Sequence, residues 1–345
     1  MDLSPWEAGY VRAAACSCPV KLAEPLANAA AILDLAQTLS AQAVQLAVFP
    51  ELGLTGYSLD DLFMQNRLLG DVELALQELA RRSASLPLVL VVGAPLRGTH
   101  RLYNCAVVIA GGQILGAVPK SYLPNYREFY EHRQFASGVG VADSARVGAV
   151  EVAIDTLQLF QIEWAALGGT PAGLAAGGGA DGAQPAFTLG VEVCEDLWVP
   201  VSPAAEAALA GAEVIANLSG SPITVAKARE RQRLCEVQSA KLLAGYVYAA
   251  GGVGESSTDL SWDGQTLIYE RGELLAESDR FVDGPVATVA DLDLALIRQD
   301  RIRQGTFDDN RVAFQDRLVG YQRRRAAVPR PAAGGPLKRR LARFP

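Results

Sequence analysis

The chain has 345 residues, half of them hydrophobic and one-fifth charged, with a formal net charge of −7. That length accommodates one large α/β domain or two smaller ones, and the acidic balance argues against a general nucleic-acid binder. No apolar run approaches the ~18 uninterrupted residues that a membrane span needs, and the opening MDLSPWEAGY lacks the basic-then-apolar order of a signal peptide.

YVRAAACS (10–17) reads as a buried strand. Apolar residues then recur with helical spacing over 24–43, at Leu26, Ala30, Leu33, Ala36 and Leu39 among others. LAVFPEL (46–52) is a short apolar strand ending in a Pro-Glu pair, 71–83 is helical again, and PLVLVVGAP (87–95) is a strand. Strand, helix, strand, helix, strand is an α/β signature. Hairpins follow: CAVVIA and QILGAVPK flank Gly111-Gly112, and TLIYE and LLAES flank Arg271-Gly272-Glu273. Glycine in a short loop between apolar runs implies antiparallel pairing, so a purely parallel sheet is not expected and mixed sheets with outer helices fit better. FTLGVEVCEDL (187–197), EVIANLSG (213–220) and YVYAAG (246–251) are further strands, separated by helices over 203–210 and about 226–244.

Two segments stand apart. AALGGTPAGLAAGGGADGAQ (165–184) has few large side chains to bury and predicts a flexible surface insertion. From Arg317 to Pro345 there are nine Lys/Arg and no Asp/Glu, which leaves −16 on the preceding body. The Pro-, Gly- and Arg-rich end reads as a solvated linker over 326–345 following a domain over 1–325. A linker joins something, so the sequence resembles the front portion of a longer protein. GGVGESS (251–257) lacks the lysine of a P-loop and the third glycine of a dinucleotide fingerprint. It reads as a strand-edge turn at a domain or subunit contact.

The five cysteines, Cys16, Cys18, Cys105, Cys194 and Cys235, are odd in number and sparse, which suits a reducing cytoplasm rather than a disulfide scaffold. With only His100 and His132 and no paired zinc-ligand spacing, no metal site is expected. Cys194 sits among three carboxylates in VEVCEDLW (191–198), a setting that disfavours a thiolate. Neither histidine has a convincing setting as its base, so a catalytic Cys194 needs other partners. Glu51 ends an apolar strand beside a glycine turn, where partial burial would raise its pKa towards a useful general base. Lys120, one of five lysines against 26 arginines, ends QILGAVPK and could stabilise a developing oxyanion. Taken singly, each is equally a surface charge at a strand end.

Together, FPELGLTGYS (49–58), PKSYLPNYREFYEHRQF (119–135) and VEVCEDLW resemble the three signature segments of the nitrilase, or carbon-nitrogen hydrolase, superfamily. Longer segments, including ANLSGSPITVAKARERQ and AGYVYAAGGVGESSTDLSWDGQT, resemble the glutaminase domain of bacterial glutamine-dependent NAD+ synthetases, over about residues 10–325 apart from the insertion. The resemblance implies an α-β-β-α sandwich, an α/β fold with mixed sheets, and a Glu51–Lys120–Cys194 triad that hydrolyses the side-chain amide of L-glutamine. It implies a supporting role for Glu131, a substrate pocket lined by Tyr57, Tyr126 and Phe129, and contacts from Glu195 and Ser221 to the amino-acid end. Lys227 stands where the family pattern has an arginine for the α-carboxylate, so a point charge replaces a bidentate fork. No cofactor is implied for this domain. ATP, Mg and deamido-NAD+ belong to the ligase domain that normally follows, whose SGGxDS loop is absent from this sequence. The resemblance also implies a homo-oligomer. The alternative is a free-standing amidase of the same superfamily acting on another small amide. Glu192 and Asp196 are left for structural hydrogen bonds.

Overall fold

A computed structural model describes residues 9–165, 186–257, 260–331 and 335–339. The first half lays down β1 (Tyr10–Ser17), α1 (Pro25–Ala41), β2 (Leu46–Val48), α2 (Asn66–Ser83), β3 (Val89–Arg97), β4 (Leu102–Ala110), β5 (Gln113–Pro119), β6 (Ala142–Val147) and β7 (Val150–Asp155). The second half adds β8 (Gln158–Trp164), β9 (Phe187–Val193), α3 (Pro203–Leu209), β10 (Val214–Ser219), α4 (Lys227–Leu242), β11 (Gly245–Ala250), β12 (Thr266–Glu270) and β13 (Glu273–Glu277). It closes with β14 (Val286–Asp293), α5 (Leu294–Arg303), α6 (Gly305–Ala313), α7 (Gln315–Leu318) and β15 (Gln322–Val328).

The strands form two mixed sheets, ordered β14-β1-β2-β3-β4-β5-β7-β6 and β13-β12-β11-β10-β9-β8-β15. Strand periodicity explains why both are buried on two faces. In β3, Val89 and Val91 join the core between the sheets, while Leu90 and Val92 turn outward against α1 and α2. In β11, Val247 and Ala249 face the same central core, while Tyr246 and Tyr248 join the cluster beneath α3 and α4. The result is the expected four-layer α-β-β-α sandwich. Parallel pairing of β1 with β2, β2 with β3, β9 with β10, and β10 with β11 brings successive strand C-termini to one edge of the sandwich.

Several expectations change. The strand predicted over 187–197 stops at Val193, because Cys194 adopts φ +48° and starts a short 3₁₀ turn. The boundary expected between 325 and 326 falls inside β15, which pairs in parallel with β8 through Val328. Three successive arginines, Arg323 to Arg325, hid this strand behind a linker-like composition. Further along the tail, Arg339 donates to both carboxylate oxygens of Glu270 at 2.9 and 2.7 Å, and the Lys338 N–H donates to Asp291 at 2.5 Å. All but the first position of the Gly/Ala-rich insertion lies outside the described residues. Among the described residues no helix is long and apolar enough to cross a membrane.

Candidate active site

Four strand ends meet at that edge. Glu51 follows β2, Lys120 follows β5, Cys194 follows β9 and Gly220 follows β10. The turn carrying Glu51 is set by its backbone. Phe49 N–H donates to Val91 at 2.9 Å, Leu54 N–H donates to Gly93 at 3.0 Å, and Gly53 N–H closes back on Pro50 at 3.1 Å. Gly93 permits this approach: a Cβ there would stand 2.2 Å from the Leu52 nitrogen and 2.4 Å from the Pro50 oxygen.

Glu51 is almost fully buried and accepts from three donors. Its Oε1 accepts from Lys120 Nζ at 2.7 Å and from Asn104 Nδ2 at 2.6 Å, and its Oε2 accepts from the Gly220 N–H at 2.6 Å. Lys120, also without exposure, donates to Glu131 Oε1 at 2.6 Å. Tyr57 OH donates to the same oxygen at 2.5 Å. Burial opposes the Lys120 charge, but the Glu131 and Glu51 carboxylates more than offset it and hold its pKa well above the usual lysine range. Burial pushes Glu131 up and Glu51 adds to the rise, while the Lys120 ammonium pulls back, leaving it at about 7. Glu131 Oε2 is buried with no hydrogen-bond partner among the described residues.

Cys194 lies within electrostatic reach of Glu51, Lys120, Glu131 and Glu195. Burial pushes its thiol far above the ordinary range and Glu51 adds to this, with Lys120 acting in the opposite sense. The thiol therefore rests protonated. Asp196 locks the Cys194 turn to the Lys120 segment: it accepts from Val193 N–H at 3.0 Å, Ser121 N–H at 3.1 Å and Tyr122 N–H at 2.9 Å. Burial, with the Glu192 charge, pushes Asp196 up to about 8 against these donors. Glu192 accepts from the Ala204 N–H at the start of α3, from Asn217 and from Tyr246 OH. Both carboxylates thus have the structural hydrogen bonds expected of them.

The remaining predicted residues form a rim. Tyr126 OH donates to Glu195 at 2.7 Å, and its ring meets Phe129 edge-on at 6.0 Å. Lys227, at the start of α4, places its ammonium 5.8 Å from the Phe129 ring centre and 4.9 Å from that of Trp198. Ser221 is buried and accepts from Arg231 Nε at 3.1 Å, which leaves its O–H as a donor. A cavity of ≈ 590 Å³, its open mouth included, runs beside Tyr57, Phe129 and Glu131, with Phe63, Asp60 and Glu128 on its other walls. Cys194 is not among those walls, so this cavity meets the cluster only along its Glu131 side.

A model of the carbon-nitrogen hydrolase family matches residues 12–302. The chain belongs to the carbon-nitrogen hydrolase family. It is 50% identical over 342 residues to the glutamine-dependent NAD(+) synthetase of Mycobacterium tuberculosis, covering 99% of this chain and 48% of that protein. It is 46% identical over 337 residues to the Mycobacterium leprae protein of the same name, covering 98% of this chain and 47% of the relative. The chain thus spans about half the length of these relatives. Among solved structures, a glutamine-dependent NAD(+) synthetase from Cytophaga hutchinsonii superposes with a TM-score of 0.66 at 22% identity, covering 82% of this chain and 43% of that one. A Nesterenkonia amidase of the nitrilase superfamily gives 0.60 at 21% identity, covering 87% and 96%. These two likenesses establish the shared fold.

Within this carbon-nitrogen hydrolase, sequence reasoning missed Asn104, Trp198, Gly220, Arg231 and Glu255. Gly220 carried a faint signal as the glycine ending EVIANLSG: a Cβ there would lie 2.5 Å from Tyr57 Cδ2 and 2.9 Å from Glu51 Oε2. Glu255 shows that GGVGESS does not simply await an external contact. Its carboxylate accepts from the Tyr57 N–H at 2.8 and 3.0 Å and from the Ser58 N–H at 3.2 Å.

Proposed function

We propose that this chain is the glutaminase part of a glutamine-dependent NAD+ synthetase, releasing ammonia from L-glutamine for use by a ligase domain. The observation that carries the reading is the buried Glu51–Lys120–Glu131 cluster beside Cys194 at the strand ends. The 50% identity to a synthetase of that name along nearly the whole chain directs the substrate choice.

The chemistry follows from the protonation states. A protonated Cys194 is a weak nucleophile, so it needs a base at the moment of attack. Glu51 takes the thiol proton as Sγ bonds to the amide carbon. The amide oxygen becomes an oxyanion, which the Lys120 ammonium stabilises together with a backbone N–H near Cys194. Glu131 Oε2, still without a partner, accepts from the amide nitrogen and orients it. Glu51 then returns its proton to that nitrogen, the C–N bond breaks and ammonia leaves, with a γ-glutamyl thioester on Cys194. Glu51 next deprotonates water, which attacks the thioester. Glutamate departs and the sulfur recovers its proton.

Glu195 suits the α-ammonium of the substrate, and Lys227 with Ser221 suits its α-carboxylate. Tyr57, Tyr126 and Phe129 line the path between them. The domain itself needs no cofactor. ATP, Mg and deamido-NAD+ are used by the ligase domain, the setting is cytoplasmic, and the assembly is a homo-oligomer. The glutaminase domain extends through β15, which ends at Val328.

The test is a panel of small amides, glutamine included, with ammonia as the readout. Glutamine preferred over the other amides is the expected result. Another amide turned over while glutamine stays inert would favour the free-standing amidase, the reading to which the amidase-like fold also lends itself.

A further inference from the structure

Arg231 lies on α4, one turn after Lys227, and has no exposed surface. It is the largest fully buried side chain of the described residues. An isolated buried guanidinium is strongly disfavoured, so such a group persists only where every donor is used. Here they are. Nη2 donates to the Ser221 carbonyl at 2.7 Å and to the Pro222 carbonyl at 2.8 Å. Nε donates to Ser221 Oγ at 3.1 Å. Nη1 meets both Asp263 oxygens at 2.8 Å and Gln265 Oε1 at 3.2 Å.

Two of those partners are backbone carbonyls in the segment that leaves β10. The same segment carries Gly220, whose N–H holds Glu51 Oε2 at 2.6 Å. It also carries the Ser221 hydroxyl. One rigid fork therefore fixes, through two carbonyls and one hydroxyl, the peptide that aims the base and the side chain that faces the amino-acid end of the substrate. Asp263 anchors the fork from the far side. Ile223 N–H donates to the Ser261 carbonyl at 2.7 Å, so the segment is held at its other end as well.

We propose that Arg231 is a positioning residue of the amide-hydrolysing site, setting the Gly220 N–H against Glu51 and the hydroxyl of Ser221 against the substrate. The proposal rests on the reading of Glu51 as the base. A lysine at 231 keeps the charge opposite Asp263 but offers a single donor atom, which cannot grip two carbonyls, a hydroxyl and a carboxylate at once. The Gly220–Ser221 peptide then shifts, and misplacement of about 1 Å at a reacting group costs on the order of 100-fold in rate.

The experiment compares wild type, Arg231→Lys and Asp263→Asn on the best amide from the panel, at a temperature where circular dichroism shows all three folded. Arg231→Lys is expected to lower kcat about 10- to 100-fold and to raise KM. Asp263→Asn, which weakens the anchor of the fork but leaves its contacts to Ser221 and Pro222, is expected to lower the melting temperature and to lower kcat less than Arg231→Lys does. The rate of alkylation at Cys194 by iodoacetamide, read by peptide mass spectrometry, is measured in parallel. It reports the base even if no amide is turned over, and should fall in Arg231→Lys and by a smaller factor in Asp263→Asn. Wild-type kcat, KM and alkylation rate in folded Arg231→Lys would overturn the proposal. A glutamine-inert wild type that hydrolyses another amide would instead overturn the substrate assignment and leave the Arg231 comparison intact.

Discussion

Replacing Lys120 by methionine separates a placed oxyanion donor from an ordinary buried charge. The ammonium stands 2.7 Å from Glu51 and 2.6 Å from Glu131, and none of the three side chains has more than 6% exposure. Methionine fills most of the volume but leaves two carboxylates facing each other out of water. Breaking a buried pair in this way costs about 3–5 kcal/mol, which corresponds to a fall in melting temperature on the order of 10 °C. The cost depends on pH, and its sign is fixed. Burial and mutual repulsion make the folded variant hold a proton between the carboxylates, while unfolded glutamates release theirs near pH ~4.3. The folded state then binds more protons than the unfolded state above that pH, so stability falls as pH rises. Wild-type Glu131, raised to about 7, holds a proton in the same way at lower pH, so the gap in melting temperature between variant and wild type should widen above about pH 7, where only the variant still holds its proton. Loss of the oxyanion contact should independently lower kcat by about 10²–10³, a penalty of ~3–4 kcal/mol. Scanning calorimetry across pH and ammonia release from the folded variant measure the two effects. A gap independent of pH, with kcat within tenfold of wild type, would refute the reasoning.

Gly220→Ala should lower kcat at least about 100-fold, because its Cβ would sit 2.9 Å from Glu51 Oε2 and 2.5 Å from Tyr57. Unchanged steady-state kinetics would mean that the Gly220 peptide does not set the base. Glu131, held at about 7 chiefly by burial, should give kcat/KM an acid limb near pH 7, with activity rising as the group ionises. In Glu131→Gln that limb should vanish, and a pH–rate profile retaining it would assign it elsewhere. Lys227→Arg should lower KM for glutamine several-fold, because a fork binds a carboxylate bidentately where an ammonium binds as a point. An unchanged KM, measured alongside kcat, would remove Lys227 from the α-carboxylate site.

Much of this architecture could be read from local pattern. β1 and α3 begin and end within a residue of their expected limits, since an unbroken apolar run and a Pro-led helix start are local signals. Glu51, Lys120 and Cys194 were visible because each marks the point where an apolar strand gives way to a polar residue. β6 and β15 were not visible. Ala142–Val147 and Gln322–Val328 are edge strands whose side chains are half polar, so alternation is diluted. Asn104, Arg231 and Glu255 escaped for a different reason. Their roles exist only through partners far away in sequence: Glu51, Asp263 and Tyr57. Nothing local distinguishes Arg231 from the other arginines in KARERQR, although it alone of them is sealed from solvent. Trp198 stands within VEVCEDLW, yet its contact with Lys227 forms only once the start of α4 meets that segment in the fold.

The proposed mechanism passes through a covalent step at one sulfur. Acid-quenching the protein during turnover of isotopically labelled glutamine, then analysing the peptide that contains Cys194 by mass spectrometry, observes that step directly. One γ-glutamyl group is expected on Cys194, carrying the label of the substrate carbons but not of the amide nitrogen, with no such adduct in Cys194→Ala. Ammonia released at the wild-type rate by Cys194→Ala, with no labelled Cys194 peptide in the active wild type, would contradict it.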